Sequence, residues 1–162
     1  MIGGDGEASY AKNSALQKSV QNRLIPFLET AIAELCREAV PGSLRIADLG
    51  CSSGSNALAL VSAVVTAVRH QLGRQSSSAA DRCYEISVYL NDLPDNDFNA
   101  AFKAVPSFLR EQGEAANGDG PLVMVFGAPG SFYDRLFPAK TMHLVCSSFS
   151  VHWLSKVTPT YF

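Results

Sequence analysis

The sequence predicts an α/β protein built on a doubly wound parallel sheet. Apolar segments of strand length alternate with stretches of helical period, and each strand segment runs into a polar or glycine-rich loop at its carboxyl end. Such alternation buries a parallel sheet under its own crossover helices, with right-handed connections and ligands outside the carboxyl ends of the strands. The length agrees: 162 residues with 47% hydrophobic and 17% charged content supply one globular core and are too few for two ordinary domains. Nothing repeats internally.

The first element is a helix. From about Asn13 to Glu38, the residues Leu16, Val20, Leu24, Phe27, Leu28, Ile32 and Leu35 recur at three- and four-residue steps, the spacing of one apolar helix face. Pro41-Gly42 stops it. Leu44-Arg-Ile-Ala-Asp-Leu49 is short, largely apolar and flanked by glycine, as a buried parallel strand tends to be. After a loop from Gly50 to Ser55, Asn56 to Leu72 is rich in Ala, Leu and Val with no breaker and reads as a second helix packed on the sheet. Gly73 to Arg82, with Ser76-Ser77-Ser78, reads as an exposed loop. Glu85 to Leu90 is the second strand, leading through Asn91-Asp-Leu-Pro94 to a helix from about Asp97 to Gln112. Gly113 to Pro121 is a flexible connection. Leu122 to Phe126 and Met142 to Cys146 are the third and fourth strands.

Charge and composition narrow the function. A formal net charge of −2 provides no basic field to hold a phosphate backbone, which argues against nucleic acid and for small ligands. No apolar run approaches the roughly 20 residues of a bilayer span. Met1 to Glu7 is glycine-rich and acidic, unlike a secretory leader. The chain therefore reads as soluble and cytoplasmic. Cys36, Cys51, Cys83 and Cys146 are scattered, with no Cys-x-x-Cys pair and no histidine at metal-ligand spacing. The expectation is reduced, mostly buried thiols and no metal site.

The sharpest local signal is Ala47-Asp-Leu-Gly-Cys-Ser-Ser-Gly54, placed where the first strand hands over to a helix. Glycines there let a ligand approach the backbone. A Gly-x-Gly-x-x-Gly spacing is absent, as is the Gly-Lys-Ser/Thr of a phosphate loop. Asp48 adds negative charge where a phosphate would be repelled and an ammonium attracted. The plain alternative is a tight turn at Gly50 and Gly54 with Asp48 capping the next helix. Asp92 follows the second strand, where nucleotide-binding α/β folds keep a carboxylate for ribose hydroxyls; its plain alternative is an Asx turn before Pro94. Asp95 and Asp97 read as ordinary helix caps.

These segments extend to a set of seven: Gly3-Gly-Asp-Gly-Glu7, Ser9-Tyr-Ala-Lys-Asn-Ser14, Ala47 to Gly54, Asn91 to Pro94 with Asn96-Asp-Phe-Asn99, Pro129-Gly-Ser-Phe-Tyr133, Arg135-Leu-Phe-Pro138, and Ser147-Ser-Phe-Ser-Val-His-Trp-Leu-Ser155. In that order they resemble the plant SABATH family of S-adenosylmethionine-dependent methyltransferases, which methylate salicylate, benzoate, jasmonate and xanthine alkaloids. The resemblance implies a class I methyltransferase (Rossmann-like) sheet. Here it would be truncated to about four strands, the C-terminal strands and the helical cap over the acceptor pocket being missing. Residues 1–162 would be the N-terminal part of a single methyltransferase domain, with S-adenosylmethionine as cofactor. A truncated sheet would expose an edge and an apolar face, giving marginal stability or association.

Residue by residue, the resemblance places Tyr10, Ser14, Asp48, Gly50, Cys51, Asn56, Asp92, Leu93, Ser131 and Phe132 on cofactor-binding positions. Asp92 falls on the ribose and Ser131-Phe132 beside the adenine. Gln17, Phe149, His152 and Trp153 fall on acceptor-pocket positions; His70 and His143 match no functional position. The resemblance also implies a small-molecule carboxylic acid acceptor as partner and leaves a homodimer open for full-length members. Ile2 stands where several carboxyl-methylating members have lysine, which weakens a salicylate-type reading; Phe149 stands where many have tyrosine, and Ser55 replaces a common proline. The implied reaction is in-line methyl transfer to the carboxylate of a small plant metabolite such as jasmonate, benzoate/salicylate or indole-acetate. Such a carboxylate is already ionised at neutral pH, so no general base is needed and catalysis is positioning. Alternatives are a binding-only remnant, an N-methyltransferase of xanthine alkaloids, in which His152 or a water would manage a proton, and a nucleotide-dependent oxidoreductase. Against the last stands the missing dinucleotide fingerprint.

Overall fold

Among the described residues, three helices and four strands follow in the expected order: α1 Ala15–Arg37, β1 Ser43–Leu49, α2 Ala57–Gln75, β2 Glu85–Asp92, α3 Phe98–Glu111, β3 Leu122–Pro129 and β4 Leu144–Ser147. The computed structural model describes residues 15–37, 42–52, 57–75, 85–111, 121–147 and 150. The strands form one sheet in the order β3-β2-β1-β4, and every neighbouring pair is parallel. The chain moves outward from β1 through β2 to β3 and then returns to the other side of β1. This reversal is the switch point of a doubly wound sheet.

Register explains the core. Leu44, Ile86 and Val123 are aligned across three strands, as are Ile46, Val88 and Val125. Successive residues point to opposite faces of a strand, so these sets share one face. That face meets Leu28 and Ile32 of α1, Leu58, Val61, Val64, Val65 and Val68 of α2, and Ala101 of α3 in one buried cluster. Each fully buried Val, Leu or Ile contributes roughly 1.5–3 kcal/mol. The α2 residues recur at three- and four-residue steps, the spacing of one helix face. In α1 the stripe is narrower than expected: Leu28 and Ile32 are buried and Leu35 packs partly against them, but Phe27 is 74% exposed. Adjacent residues on a helix lie about 100° apart, so with Leu28 facing the core Phe27 turns away. The side chains of Leu16, Val20 and Leu24 lie outside the described residues.

Several ends differ from the sequence reading. Gly73 to Gln75, expected in a loop, continue α2. Strand β2 runs on through Asn91 and Asp92, and β3 runs on to Pro129, because parallel pairing with each other extends both past their apolar stretches. Asp97 caps α3 as expected, its Oδ1 accepting the Asn99 N–H at 3.1 Å.

The return from β3 to β4 runs through residues 130–143. A right-handed crossover in the reverse direction must pass over the face opposite the helices. Consistent with that path, Phe137 lies edge-on against Tyr89, with ring centroids 5.5 Å apart, and Tyr89 stacks on Phe126 at 5.1 Å. Both strand aromatics belong to the face away from the helices. Leu122, Phe126 and Val145 on that face are exposed. Among the described residues no helix is long and apolar enough to cross a membrane.

Strand β4 starts at Leu144, two residues later than expected. His143 occupies the preceding position in an unusual way. Its N–H donates to the Arg45 carbonyl at 2.9 Å, and its Nδ1 accepts the Arg45 N–H at 2.9 Å. The imidazole thus takes the place of a strand carbonyl. His143→Ala should lower stability by about 1 kcal/mol, because it strands the Arg45 N–H. His143→Asn, which offers an acceptor near the same place, should recover part of that loss; urea-unfolding midpoints of the two variants check it.

Candidate functional site

The carboxyl ends of β1, β2 and β3 are drawn together by backbone bonds. Beyond Leu49 the chain turns at Gly50, where φ is +75°. This is left-handed backbone that L residues adopt at a cost. A Cβ on Gly50 would also lie 2.6 Å from Cβ and Oγ of Ser150. Ser150 is itself fixed, its hydroxyl donating to the Leu49 carbonyl at 2.7 Å and lying 2.8 Å from the Ser147 hydroxyl. The turn leaves Gly50 and Cys51 with N–H groups pointing back at β2, and both donate to the Asn91 carbonyl at 2.9 Å.

Ser52 follows with φ at +61°, a strained conformation for a residue other than glycine. Two side chains hold it there. Its N–H donates to Asp92 Oδ2 at 2.7 Å, and its carbonyl accepts from Asn96 Nδ2 at 3.0 Å. Asp92 Oδ1 accepts the Leu93 N–H at 2.8 Å, and the Asp92 carbonyl accepts the Gly130 N–H at 2.9 Å. The Asx-turn alternative for Asp92 fails, because the residue two further on is Pro94, which has no N–H to donate; Oδ2 instead reaches across to the β1 turn. After β3 the chain folds into a short turn in which Ser131 Oγ accepts the Tyr133 N–H at 3.2 Å. The rings of Phe132 and Tyr133 pack at 5.1 Å.

Asp48 sits in β1, paired with Leu90 on one side and Cys146 on the other. It does not cap a helix. Its carboxyl is buried, and burial first, then the nearby Asp92 charge, pushes its pKa up to about 7. The same surroundings act on the thiols. Cys51 is pushed far above the ordinary range by burial and then by Asp48 and Asp92, and Cys146 is raised to about 11 by burial and then by Asp48. Both are free and protonated at neutral pH, which makes them poor nucleophiles.

The structure thus brings Asp48, Gly50, Cys51, Asp92, Leu93, Ser131 and Phe132 to one end of the sheet. Tyr10, Ser14, Asn56, Phe149, His152 and Trp153 lie outside the described residues, as does the side chain of Gln17. Sequence reasoning missed Asn91, Asn96 and Ser150 as parts of this edge. All three stand inside the quoted motifs, but their partners lie 37 or more residues away in the chain, and spacing carries no sign of that.

Comparison with known proteins decides the family. The model of the family described as SAM dependent carboxyl methyltransferase matches residues 1–162. The chain belongs to that family. Its members use S-adenosylmethionine. The chain is 44% identical over 161 residues to a salicylate carboxymethyltransferase of Clarkia breweri, covering 97% of this chain and 41% of that protein. It is 41% identical over 160 residues to a probable caffeine synthase of Coffea canephora, again covering 97% and 41%. A solved loganic acid methyltransferase with SAH superposes with a TM-score of 0.73 at 31% identity, covering 97% of this chain and 41% of that one. The chain therefore spans about two-fifths of the length of these relatives.

The edge fits the family's cofactor chemically. A carboxylate has about four lone-pair positions, and Asp92 uses two of them on backbone N–H groups, leaving acceptors for hydroxyls. Leu93 is 59% exposed, an apolar side chain free to lie against a ring. Asp48 is a buried carboxyl whose ionised form a cation would stabilise.

Two predictions follow from this geometry. Between about pH 4 and pH 7 the unfolded chain ionises at Asp48 while the folded chain keeps the proton, so folding stability falls as pH rises through that window and is flat above it. Asp48→Asn removes that penalty. The variant should match the wild type near pH 4 and exceed it at pH 7.5 by roughly 2–4 kcal/mol, read from denaturation across pH. Gly50→Ala should destabilise by at least ~1–2 kcal/mol through its positive φ alone, and a thermal melt measures it.

Proposed function

We propose that residues 1–162 form the amino-terminal part of one S-adenosylmethionine-binding domain, within a carboxyl O-methyltransferase that converts a small plant metabolite's carboxylate to its methyl ester. Jasmonate, benzoate/salicylate and indole-acetate represent the acceptor class. The observation that carries the reading is the meeting of Asp48, Asp92-Leu93 and Ser131-Phe132 at the carboxyl edge of three adjacent strands, where a doubly wound sheet receives its ligand.

In this reading Asp92 accepts the ribose hydroxyls, Leu93 and Phe132 flank the adenine with Ser131, and Asp48 faces the methionine ammonium. Gly50 and Cys51 shape the turn beneath it. Tyr10, Ser14 and Asn56 complete the cofactor contacts, and Gln17, Phe149, His152 and Trp153 line the acceptor pocket. When bound, S-adenosylmethionine supplies an electrophilic methyl group on a sulfonium sulfur. The chain's own part is to orient the acceptor and exclude water. An acceptor carboxylate with a pKa near 4 is ionised at neutral pH, so no residue has to remove a proton, and alignment alone is worth on the order of 7–11 kcal/mol.

Titration calorimetry with S-adenosylhomocysteine tests the site. Binding to the wild type and a loss of tenfold or more in Asp92→Ala, about 1.4 kcal/mol, are expected; a folded sample that gives no heat overturns the reading. Methyl transfer over a panel of carboxylic acids then separates enzyme from binder. The Asp48 contact makes its own prediction. An ammonium partner favours the ionised carboxyl, so affinity should rise from pH 5 to about pH 7 and level off above it, with proton release near neutrality. Equal affinity at pH 5 and pH 8 would remove Asp48 from the ammonium.

A further inference from the structure

We propose that Asn91 is a positioning residue of the cofactor site, whose side-chain amide holds the loop bearing Ser131 and Phe132 in place beside Asp92. The inference rests on the proposed reading of that edge as the cofactor site. Asn91 is fully buried near the end of β2. Its Nδ2 donates to the Ala128 carbonyl at 2.6 Å and to the Gly130 carbonyl at 2.9 Å. Both partners are carbonyl oxygens, which only accept, so the amide can sit in one orientation alone. Its Oδ1 is left buried without a partner. An unmade hydrogen bond in the interior is costly, and here it accompanies two made to a single loop.

The reason for the clamp lies in β3. Asp92 is in register with Pro129, and proline has no N–H to give to a ladder. Regular pairing therefore ends where the chain must still be held for Ser131 and Phe132 to be placed. The Asn91 amide grips the carbonyls on either side of Pro129, and the Gly130 N–H closes onto the Asp92 carbonyl at 2.9 Å. The Asn91 backbone carbonyl does a separate task, receiving the Gly50 and Cys51 N–H groups. Replacing the side chain leaves that carbonyl in place. The defect should therefore fall on the adenine end of the ligand and spare the methionine end.

The test titrates adenosine and S-adenosylhomocysteine calorimetrically into wild type, Asn91→Leu and Asn91→Asp, with folding checked by circular dichroism. Asn91→Leu keeps the size and removes both donors. Its affinity for adenosine should fall about tenfold or more, and by the same factor for S-adenosylhomocysteine, because the lost contacts serve the shared adenine end. Asn91→Asp can donate one hydrogen bond only while protonated, so its adenosine affinity should be nearer wild type at pH 5 than at pH 8. A folded Asn91→Leu that binds adenosine within twofold of wild type overturns the proposal. So does a loss confined to S-adenosylhomocysteine, which would mark a general loosening of the site. If Asn91→Leu does not fold, the adenosine pH profile of Asn91→Asp decides alone, a flat profile counting against the clamp. A folded wild type that binds neither ligand overturns the cofactor reading itself, and the inference with it.

Discussion

The architecture of the site depends on one carbonyl oxygen. Asn91 O lies where β2 gives out, and it receives the N–H groups of both Gly50 and Cys51. A carbonyl has two lone pairs, and this one spends both on the turn that leaves β1. Two consecutive N–H groups can converge on one oxygen only if the chain bends sharply. That bend is what Gly50 provides at φ +75°, where a side chain would also meet Ser150. Once the bend is made, Ser52 is thrown into left-handed backbone and is held there by Asp92 and Asn96. The strain is local, and the bonds that retain it come from β2 and the residues just after it. The end of β2 thus organises both neighbours.

Electrostatics follows from the same packing. Parallel pairing places Asp48 inside the central strand, flanked by Leu90 and Cys146, with Asp92 close enough for its charge to be felt. Two carboxylates near one another in a place with little water cannot both ionise cheaply. Asp92 has backbone N–H groups on both oxygens, whereas burial raises the pKa of Asp48. A cation beside Asp48 would offset that cost. The thiols of Cys51 and Cys146 feel the same field and are held protonated. Cys51 lies in the buried core cluster and Cys146 packs against it.

Much of this was legible in the sequence because it depends on local pattern. Apolar strand segments alternating with helical stretches located all seven of the described elements, and the Ala47–Gly54 and Asn91–Pro94 segments marked two of the three loops that form the edge. What local pattern could not locate were the ends set by partners. The ladder with β3 carries β2 through Asn91 and Asp92, although neither residue is apolar. Phe27 satisfies a three- and four-residue pattern and still faces outward, because the stripe that meets the core is narrower than the stripe that periodicity allows. His143 reads as an ordinary strand residue, yet its ring acts as a backbone acceptor for Arg45, a substitution that no period can reveal. The residues that hold the site together, Asn91, Asn96 and Ser150, act across long sequence separations.

The direction of the return from β3 to β4 settles how the two faces of the sheet are used. Crossovers from β1 to β2 and from β2 to β3 move one way along the sheet, and their helices share one core with α1 on one face. Right-handedness then sends the reverse connection over the other face, where Phe137 reaches Tyr89. The residues at the start of that connection, Ser131 and Phe132, therefore leave β3 on the side away from the helices, beside Asp92. The Gly50–Ser52 turn leads from β1 toward α2, on the helix side. A ligand lying along the edge between them would touch both layers, with its acidic contacts drawn from β1 and β2. The topology brings the turn, the carboxylates and the aromatic loop to one edge, and the bonds from the end of β2 hold them there.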